Sequence, residues 1–310
     1  MEHWHSGLGG SLQHNKRIKY EGNSLRELLT ITHLNIHWEN TEMNKLYIAA
    51  ERVAGPDEFE VHLEIAKQRG LGIEFQEFYL PDLMWGDYRP RLEEYQKLLE
   101  DFHGGRAIHN AYHSIDHTGR DPEVLKLTKK RYDYIFMIAK ELECKYIISH
   151  FVWNRSITDI YLTKWQQAEA RFWYEYANRA EKEGFVIVGE NTNQTRPEIL
   201  KPIFDMVDSS SFKLNLDIPH AHLHSEVPIE DWIMAFGEDL VYTHVNNNYR
   251  NYDAHDSILK GSINYDYIFR VLDRVEIAPI ITTEIYGVEN LLESINFLEE
   301  KIRTTPVYNK

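Results

Sequence analysis

Six short apolar runs in this chain each close on an acidic or imidazole side chain. Ala107-Ile108 ends at His109. Residues 146–149 end at His150, 186–189 at Glu190, 212–216 at Asp217, 240–243 at His244, and 279–283 at Glu284. His220 follows Asp217 by one turn, and Asp253 and His255 follow His244. Runs of this length read as buried strands. A buried strand has little use for a charged last residue unless something meets it there. The strand ends must therefore converge on one point. Parallel strands closed into a barrel do this, because all their C-terminal ends share one face.

The rest of the chain supplies the units such a barrel needs. From residue 43 on, strand and helix patterns alternate, as in successive βα units. A first strand over 45–50 leads to a helix over 56–69 with Phe59, His62, Leu63 and Ala66 on one face. Pro56 near its start and Gly70 beyond its end mark the two helix termini. Further strands are expected at 71–78, 106–112, 145–150, 185–190, 212–217, 240–245 and 279–284. Further helices are expected at 89–102, 122–142, 162–183, 197–208, 229–236, 265–273 and 291–302. Eight of each make an α/β fold, the (β/α)8 TIM barrel, in a single domain over 43–310. Residues 1–42 are polar and dotted with glycine and histidine, and are expected to form an N-terminal extension.

Charge and cysteine usage narrow the partners. A net charge of −15 argues against a protein that coats nucleic acid or an anionic membrane. Cys144 is the only cysteine, which excludes an intrachain disulfide and suits a reducing cytoplasm, the expected location. No apolar stretch reaches the roughly 18 residues of a membrane span, and no signal-peptide core is visible near Met1.

Glu190, Asp217, His244 and Glu284 come from four successive strands. Three carboxylates and one imidazole make an oxygen-rich donor set suited to a divalent metal: Mn²⁺, Mg²⁺, Co²⁺ or Zn²⁺. His109, His150, His220, Asp253 and His255 belong to the same face. Asp253 and His255, two residues apart, point the same way if their loop is extended. These five either hold further ions, orient the first ligands, or hydrogen-bond a substrate's hydroxyls. Arg155, Arg196 and Arg250 lie in strand-to-helix loops, where a guanidinium can fork to a phosphate or carboxylate. Arg250 joins His109, His150, His220 and His255 as an expected substrate contact. His113, His117, His222 and His224 are expected as exposed loop histidines. Phe75, Phe78, Trp85 and Trp153 are expected to wall the pocket. The chain has no Walker motif, no GxGxxG, no nucleophile elbow and no cysteine pair, so no nucleotide cofactor and no thiol chemistry is expected.

These residues resemble the xylose-isomerase-like barrel superfamily, which holds sugar isomerases and epimerases, inosose dehydratases and endonuclease IV. The resemblance runs from about residue 43 to residue 302. Ile108-His109-Asn110-Ala111-Tyr112 is similar to the family's third-strand His-Ala-Pro-Tyr pattern, and Glu190-Asn191-Thr192 matches its fifth-strand Glu-Asn. Asp217-Ile218-Pro219-His220-Ala221 resembles the sixth-strand Asp-x-x-His-Ala. His244-Val245-Asn246-Asn247 resembles His-x-Asn-Asp, with Asn247 where Asp is usual, and Thr283-Glu284 matches the eighth-strand Glu. The isomerase branch implies one catalytic metal on Glu190, Asp217, His244 and Glu284. Glu190 and Glu284 are then the acid/base pair, and His220 touches substrate. The endonuclease branch implies three metals on those four residues together with His109, His150, His220, Asp253 and His255. Two departures stand out. Leu259-Lys260-Gly261 replaces the usual Gly-Glu-Gly, and Ala49-Ala50-Glu51 lacks the endonuclease's first-strand signature. The resemblance implies a metal-dependent isomerase or epimerase of a small polyhydroxylated sugar or cyclitol. An inosose-type dehydratase and a phosphodiesterase acting on abasic DNA are the alternatives, and a homo-oligomer is left open.

Overall fold

A computed structural model of the protein describes residues 45–50, 56–155, 157 and 159–310. The expected extension over residues 1–42, and Glu51 of the first-strand comparison, lie outside the described residues. Eight parallel strands close a barrel in chain order: β1 Leu46–Ala50, β2 Gly72–Phe75, β3 Arg106–His109, β4 Tyr146–His150, β5 Val186–Glu190, β6 Phe212–Asp217, β7 Leu240–Val245 and β8 Ile280–Thr283. β8 returns to β1, with Leu46 opposite Ile281 and Ile48 opposite Thr283. The helices are α1 Pro56–Arg69, α2 Pro81–Trp85, α3 Arg89–Leu98, α4 Pro122–Glu141, α5 Asp159–Glu183, α6 Lys201–Val207, α7 Ile218–His224, α8 Ile229–Phe236, α9 Tyr265–Arg274 and α10 Val288–Thr304. Among the described residues no helix is long and apolar enough to cross a membrane.

The twofold period of a strand sorts each run into an inward and an outward set. Tyr47, Ala107, Ile148, Val188, Tyr242 and Ile280 form an apolar cluster inside the barrel. Two residues further along the same strands stand His109, His150, Glu190 and His244. The ligand layer is therefore the next inward layer towards the C-terminal face. One irregularity makes it continuous. The β6–β7 pairing slips after Leu214, which faces Leu240, so that Asn215 faces Tyr242 and Asp217 faces His244. A one-residue slip exchanges the two faces of a strand. Without it Asp217 would lie level with Thr243, and His244 would point the other way.

Strands β2 and β3 stop at Phe75 and His109, earlier than the apolar runs suggest, and residues 76–78 and 110–112 belong to the loops above. Two short helices, α2 and α7, were not legible as helices. α7 starts where it does because Asp217, the last residue of β6, accepts the amide of His220 and caps the helix. α4 and α9 begin the same way, on Asp121 and Asn264. His222 and His224 consequently lie on α7, half-buried, rather than in an exposed loop.

The buried face of α1 holds Phe59, His62, Leu63 and Ala66 as its period requires. Neither ring nitrogen of His62 has a partner, and burial lowers its pKa to about 4. An unfolded histidine titrates near 6.5. Between those values the unfolded chain binds a proton that the folded one refuses, so stability falls as pH drops from about 6.5 towards about 4. The expected loss over that window is about 3 kcal/mol. His62→Leu should remove this part of the acid limb, seen as a smaller shift in urea midpoint than wild type between about pH 7 and about pH 4.5.

Candidate metal centre

Three strand ends bring carboxylates around the imidazole of His244, itself near the end of β7 and fully buried. Its Nδ1 lies 3.2 Å from Glu190 Oε2, 3.4 Å from Glu284 Oε2 and 3.8 Å from Asp217 Oδ2. Donors held at about 2.1 Å from one ion lie roughly 3.0–3.4 Å apart, so most of these separations are those of a shared coordination shell. Two further groups adjoin this one. His150 Nε2 is 3.3 Å from Glu190 Oε1, and His109 Nε2 is 3.9 Å from Glu190 Oε2. Asp253 Oδ2 lies 3.3 Å from His220 Nε2 and 3.0 Å from His255 Nε2. His255 reaches this position with φ 49°, so the Asp253–His255 stretch is not extended, although the two side chains do meet.

The histidines are oriented from behind. His109 Nδ1 pairs with the carbonyl of Asn110 at 2.9 Å, His220 Nδ1 with that of Asn191 at 3.1 Å, and His255 Nδ1 with that of Glu284 at 3.0 Å. A carbonyl only accepts, so each Nδ1 carries the hydrogen, and in the neutral ring each Nε2 keeps a lone pair for the acidic cluster. His244 is reversed: its Nε2 pairs with Glu74 Oε2 at 3.1 Å, and its Nδ1 faces the carboxylates. That Nδ1 is buried and has no hydrogen-bond partner. An unpartnered buried nitrogen amid three carboxylates is what a cation site needs.

Glu74 was missed by sequence reasoning, although it sits two residues after Gly72 in the inward set of β2. It is fully buried, accepts from Tyr242 Oη at 2.8 Å on Oε2 and from Gln76 Nε2 at 3.0 Å on Oε1, and faces His244. Gln76 also donates to Glu284. Glu74, His244 and Glu284 are themselves close enough to hold an ion. Glu74 is already occupied on both oxygens by protein donors, which makes it the outer partner that aims His244.

The electrostatics show a site short of positive charge. Burial, with Glu190 and Glu284 close by, pushes the Asp217 carboxyl up to about 8 against the pull of His220 and His244. Burial opposes charge on His220 and His255, but nearby carboxylates, Asp253 among them, raise them to about 10 and about 9. Glu190 is held well below the carboxylate range: burial alone would raise it, and His150 and His244 overcome that. The donor set therefore suits a divalent cation, and a cation must displace protons from Asp217 and the histidines. Its affinity should rise with pH through about 8 and on towards about 10, checked by ion titration across that range.

Other expectations fare differently. His117 is not an exposed loop residue. It is buried, with Nδ1 2.8 Å from Glu169 Oε2 and Nε2 2.8 Å from Tyr132 Oη. Phe75 and Phe78 do not wall the pocket. They are fully buried against Tyr95, at 5.6 and 5.1 Å between ring centres, beneath the helical layer. Trp85 is exposed, with Lys130 4.6 Å above its ring. Trp153 does line the open cavity beside His150 and His220. Arg155 is exposed, and Arg250 is exposed with its guanidinium on the carbonyl of Ser225 at 3.0 Å. Asn247, at the family's Asp position, is buried and ties the following loop through the carbonyl of Ile258 and the amide of Ile263. Gly261 is needed there, since a Cβ would fall 2.1 Å from Asn247 Oδ1.

Known proteins agree with this architecture. The sequence pattern of the family described as xylose isomerase-like TIM barrel matches residues 64–301. No curated protein sequence matches the chain. Among solved structures, the TTHB071 protein from Thermus thermophilus, soaked with ZnCl2, superposes with a TM-score of 0.69 at 21% identity, over 83% of this chain and 97% of that one. A D-tagatose 3-epimerase-like protein gives 0.70 at 18% identity, over 84% and 98%. AP endonuclease, family 2, from Brucella melitensis gives 0.63 at 12% identity, over 82% and 97%. At these identities the structures speak for the fold, and the sequence pattern speaks for the family: the chain belongs to the xylose isomerase-like TIM barrels.

Proposed function

We propose that the protein is a divalent-metal-dependent isomerase or epimerase of a sugar or cyclitol, working by proton transfer through Glu190 and Glu284. One observation carries this: two carboxylates from β5 and the end of β8 flank the same imidazole, at 3.2 and 3.4 Å from His244 Nδ1. Glu190, Asp217, His244 and Glu284 would hold the cation. When bound, it would polarise two neighbouring oxygens of a polyhydroxylated carbonyl compound and acidify the carbon beside them. Glu284 has the more exposed side chain, 11% against 2% for Glu190, and takes the proton. Glu190, kept ionised by His150 and His244, serves the opposite face. His150 and His220 border the open side and hold substrate hydroxyls. A dehydratase would share the first step and then lose a β-hydroxyl. The similarity to a D-tagatose 3-epimerase-like protein supports sugar chemistry.

A second reading has its own observation. His109 and His150 share Glu190, and His220 and His255 share Asp253, which supplies donors for more than one ion. Several ions suit cleavage of a phosphodiester, and an AP endonuclease of family 2 is among the similar structures. Net charge of −15 weighs against a DNA partner. The test is one metal-loaded preparation in two assays: deuterium uptake from D2O into ketoses and inososes, and nicking of abasic duplex DNA. Deuterium at the carbon beside the carbonyl supports the first reading. Nicking with every sugar inert supports the second and overturns the first.

A further inference from the structure

A cavity of about 410 Å³ opens beside the ligand set, bordered by Tyr112, Ser114, His150, Trp153, Thr192 and His220. Of the candidate ligands only His150 and His220 reach it, so the cavity lies to one side of the centre, under the loops that follow β3, β4 and β5. Its size falls within the roughly 300–1,000 Å³ of small-molecule sites.

The walls are fixed before anything binds. The β3 loop is tied to the helical layer at three points. Arg131 donates to the carbonyl of His113, the amide of Asp116 donates to Thr128 Oγ1 at 2.9 Å, and buried His117 joins Glu169 to Tyr132. Ser114 sits at φ 51°, a conformation that a residue other than glycine adopts when its surroundings impose it. Tyr112 lies 4.8 Å from the His150 ring and is backed by Tyr79 at 4.9 Å. On the β4 side, the Trp165 indole donates to the carbonyl of Val152 at 2.8 Å, and Trp153 packs edge-on against it at 4.7 Å.

The chemistry of the lining selects its occupant. None of the described lining residues is Lys, Arg, Asp or Glu, and its two imidazoles already face carboxylates, His150 towards Glu190 and His220 towards Asp217 and Asp253, so the lining holds no unpaired charge for a phosphate or a free amine. The aromatic residues Tyr112, Phe151 and Trp153 share the wall with Ser114 and Thr192. A sugar ring fits this lining: it brings a C–H face for the aromatic rings and hydroxyls for Ser114 and Thr192. We propose that this cavity is a second-ring subsite. The substrate is then a glycoside of disaccharide size, with one ring at the metal centre and the other against Tyr112 and Trp153. The choice of which ring reacts rests on the proton-transfer reading. The binding of two rings does not.

Calorimetric titration of the metal-loaded protein with D-glucose, cellobiose and phenyl β-D-glucoside tests this. Cellobiose should bind at least about tenfold more tightly than glucose, a contrast of one stacked ring and one hydrogen bond. Trp153→Ala removes the stacking ring and should lower cellobiose affinity severalfold, by a larger factor than it lowers glucose affinity. Affinities for glucose and cellobiose within twofold of each other in the wild type would overturn the subsite, whether or not the variant folds. Phenyl glucoside binding tightly while cellobiose does not would overturn its assignment to a sugar. A cellobiose preference without any deuterium uptake from D2O sinks the proton-transfer reading and leaves the subsite standing.

Discussion

Glu190→Gln and Glu284→Gln should each lower turnover by about 10² or more with the centre loaded, with substrate binding largely retained. Glutamine keeps the shape and one oxygen of glutamate but cannot take a proton. The two carboxylates lie 3.2 and 3.4 Å from the same imidazole nitrogen, so both are also candidate ligands, and a lost ion would mimic a lost base. Metal content measured on each variant separates the two. A variant that keeps its ion, keeps KM within a few-fold and loses kcat has lost a proton-transfer group. The two changes should also differ. Glu190 touches His150, His244 and Asn215, so its replacement disturbs more of the ligand layer. Glu284 is more exposed and has fewer of these obligations, so Glu284→Gln is the cleaner loss of a base. Full activity in the metal-loaded Glu284→Gln variant would remove the carboxylate pair from the mechanism.

Glu74→Gln should weaken metal affinity about 10–100-fold, the usual effect of losing an outer carboxylate behind a ligand histidine. Glu74 reaches no part of the open cavity. Its effect is exerted through His244, whose Nε2 hydrogen it fixes and whose Nδ1 it thereby leaves for the cation. The amide oxygen of glutamine can still accept that hydrogen but carries no charge, so the imidazole becomes a poorer donor. Tyr242→Phe removes one hydrogen bond to Glu74 and keeps the carboxylate, and should cost much less affinity. If Glu74 were only a satisfied polar group of the core, Glu74→Gln would shift the melting temperature and leave the metal titration unchanged. Nitrogen-15 chemical shifts of His244 give a second readout: the Nε2–H tautomer should persist in wild type and be less populated in the variant.

The residues that end strands were legible because burial makes a charge at such a place conspicuous. His109, His150, Glu190 and Asp217 are the last residues of their strands, His244 is the last but one, and Glu284 stands just past the last. Glu74 was not legible in this way. It lies inside β2, flanked by Ile73 and Phe75, and an acid inside a strand is as readily a surface residue. Only the barrel's layering shows that its alternation points inward. The slip at Leu214 was equally hidden, since it depends on how β6 and β7 pair and not on either strand alone. His117 was misplaced for a related reason. Its partners, Glu169 and Tyr132, are 52 and 15 residues away, on α5 and α4. The loop after β3 looks polar and exposed along the chain, yet two helices fold over it. Phe75 and Phe78 lie close to a strand end, which suggests pocket walls, but the period of β2 sends Phe75 outward to Tyr95.

The proposed cation centre has His244 at its heart, with ligands from the strand ends on every side. The most direct measurement strips the purified chain with a chelator, reloads it with Mn²⁺, and counts ions and affinity by titration in wild type and in His244→Ala. Wild type should take up at least one tightly bound ion, lost in His244→Ala, and further ions sensitive to His109 or Asp253 would extend the centre. A wild-type chain that holds no ion after reloading, or a His244→Ala variant with unchanged count and affinity, would show that these strand ends do not build a cation centre.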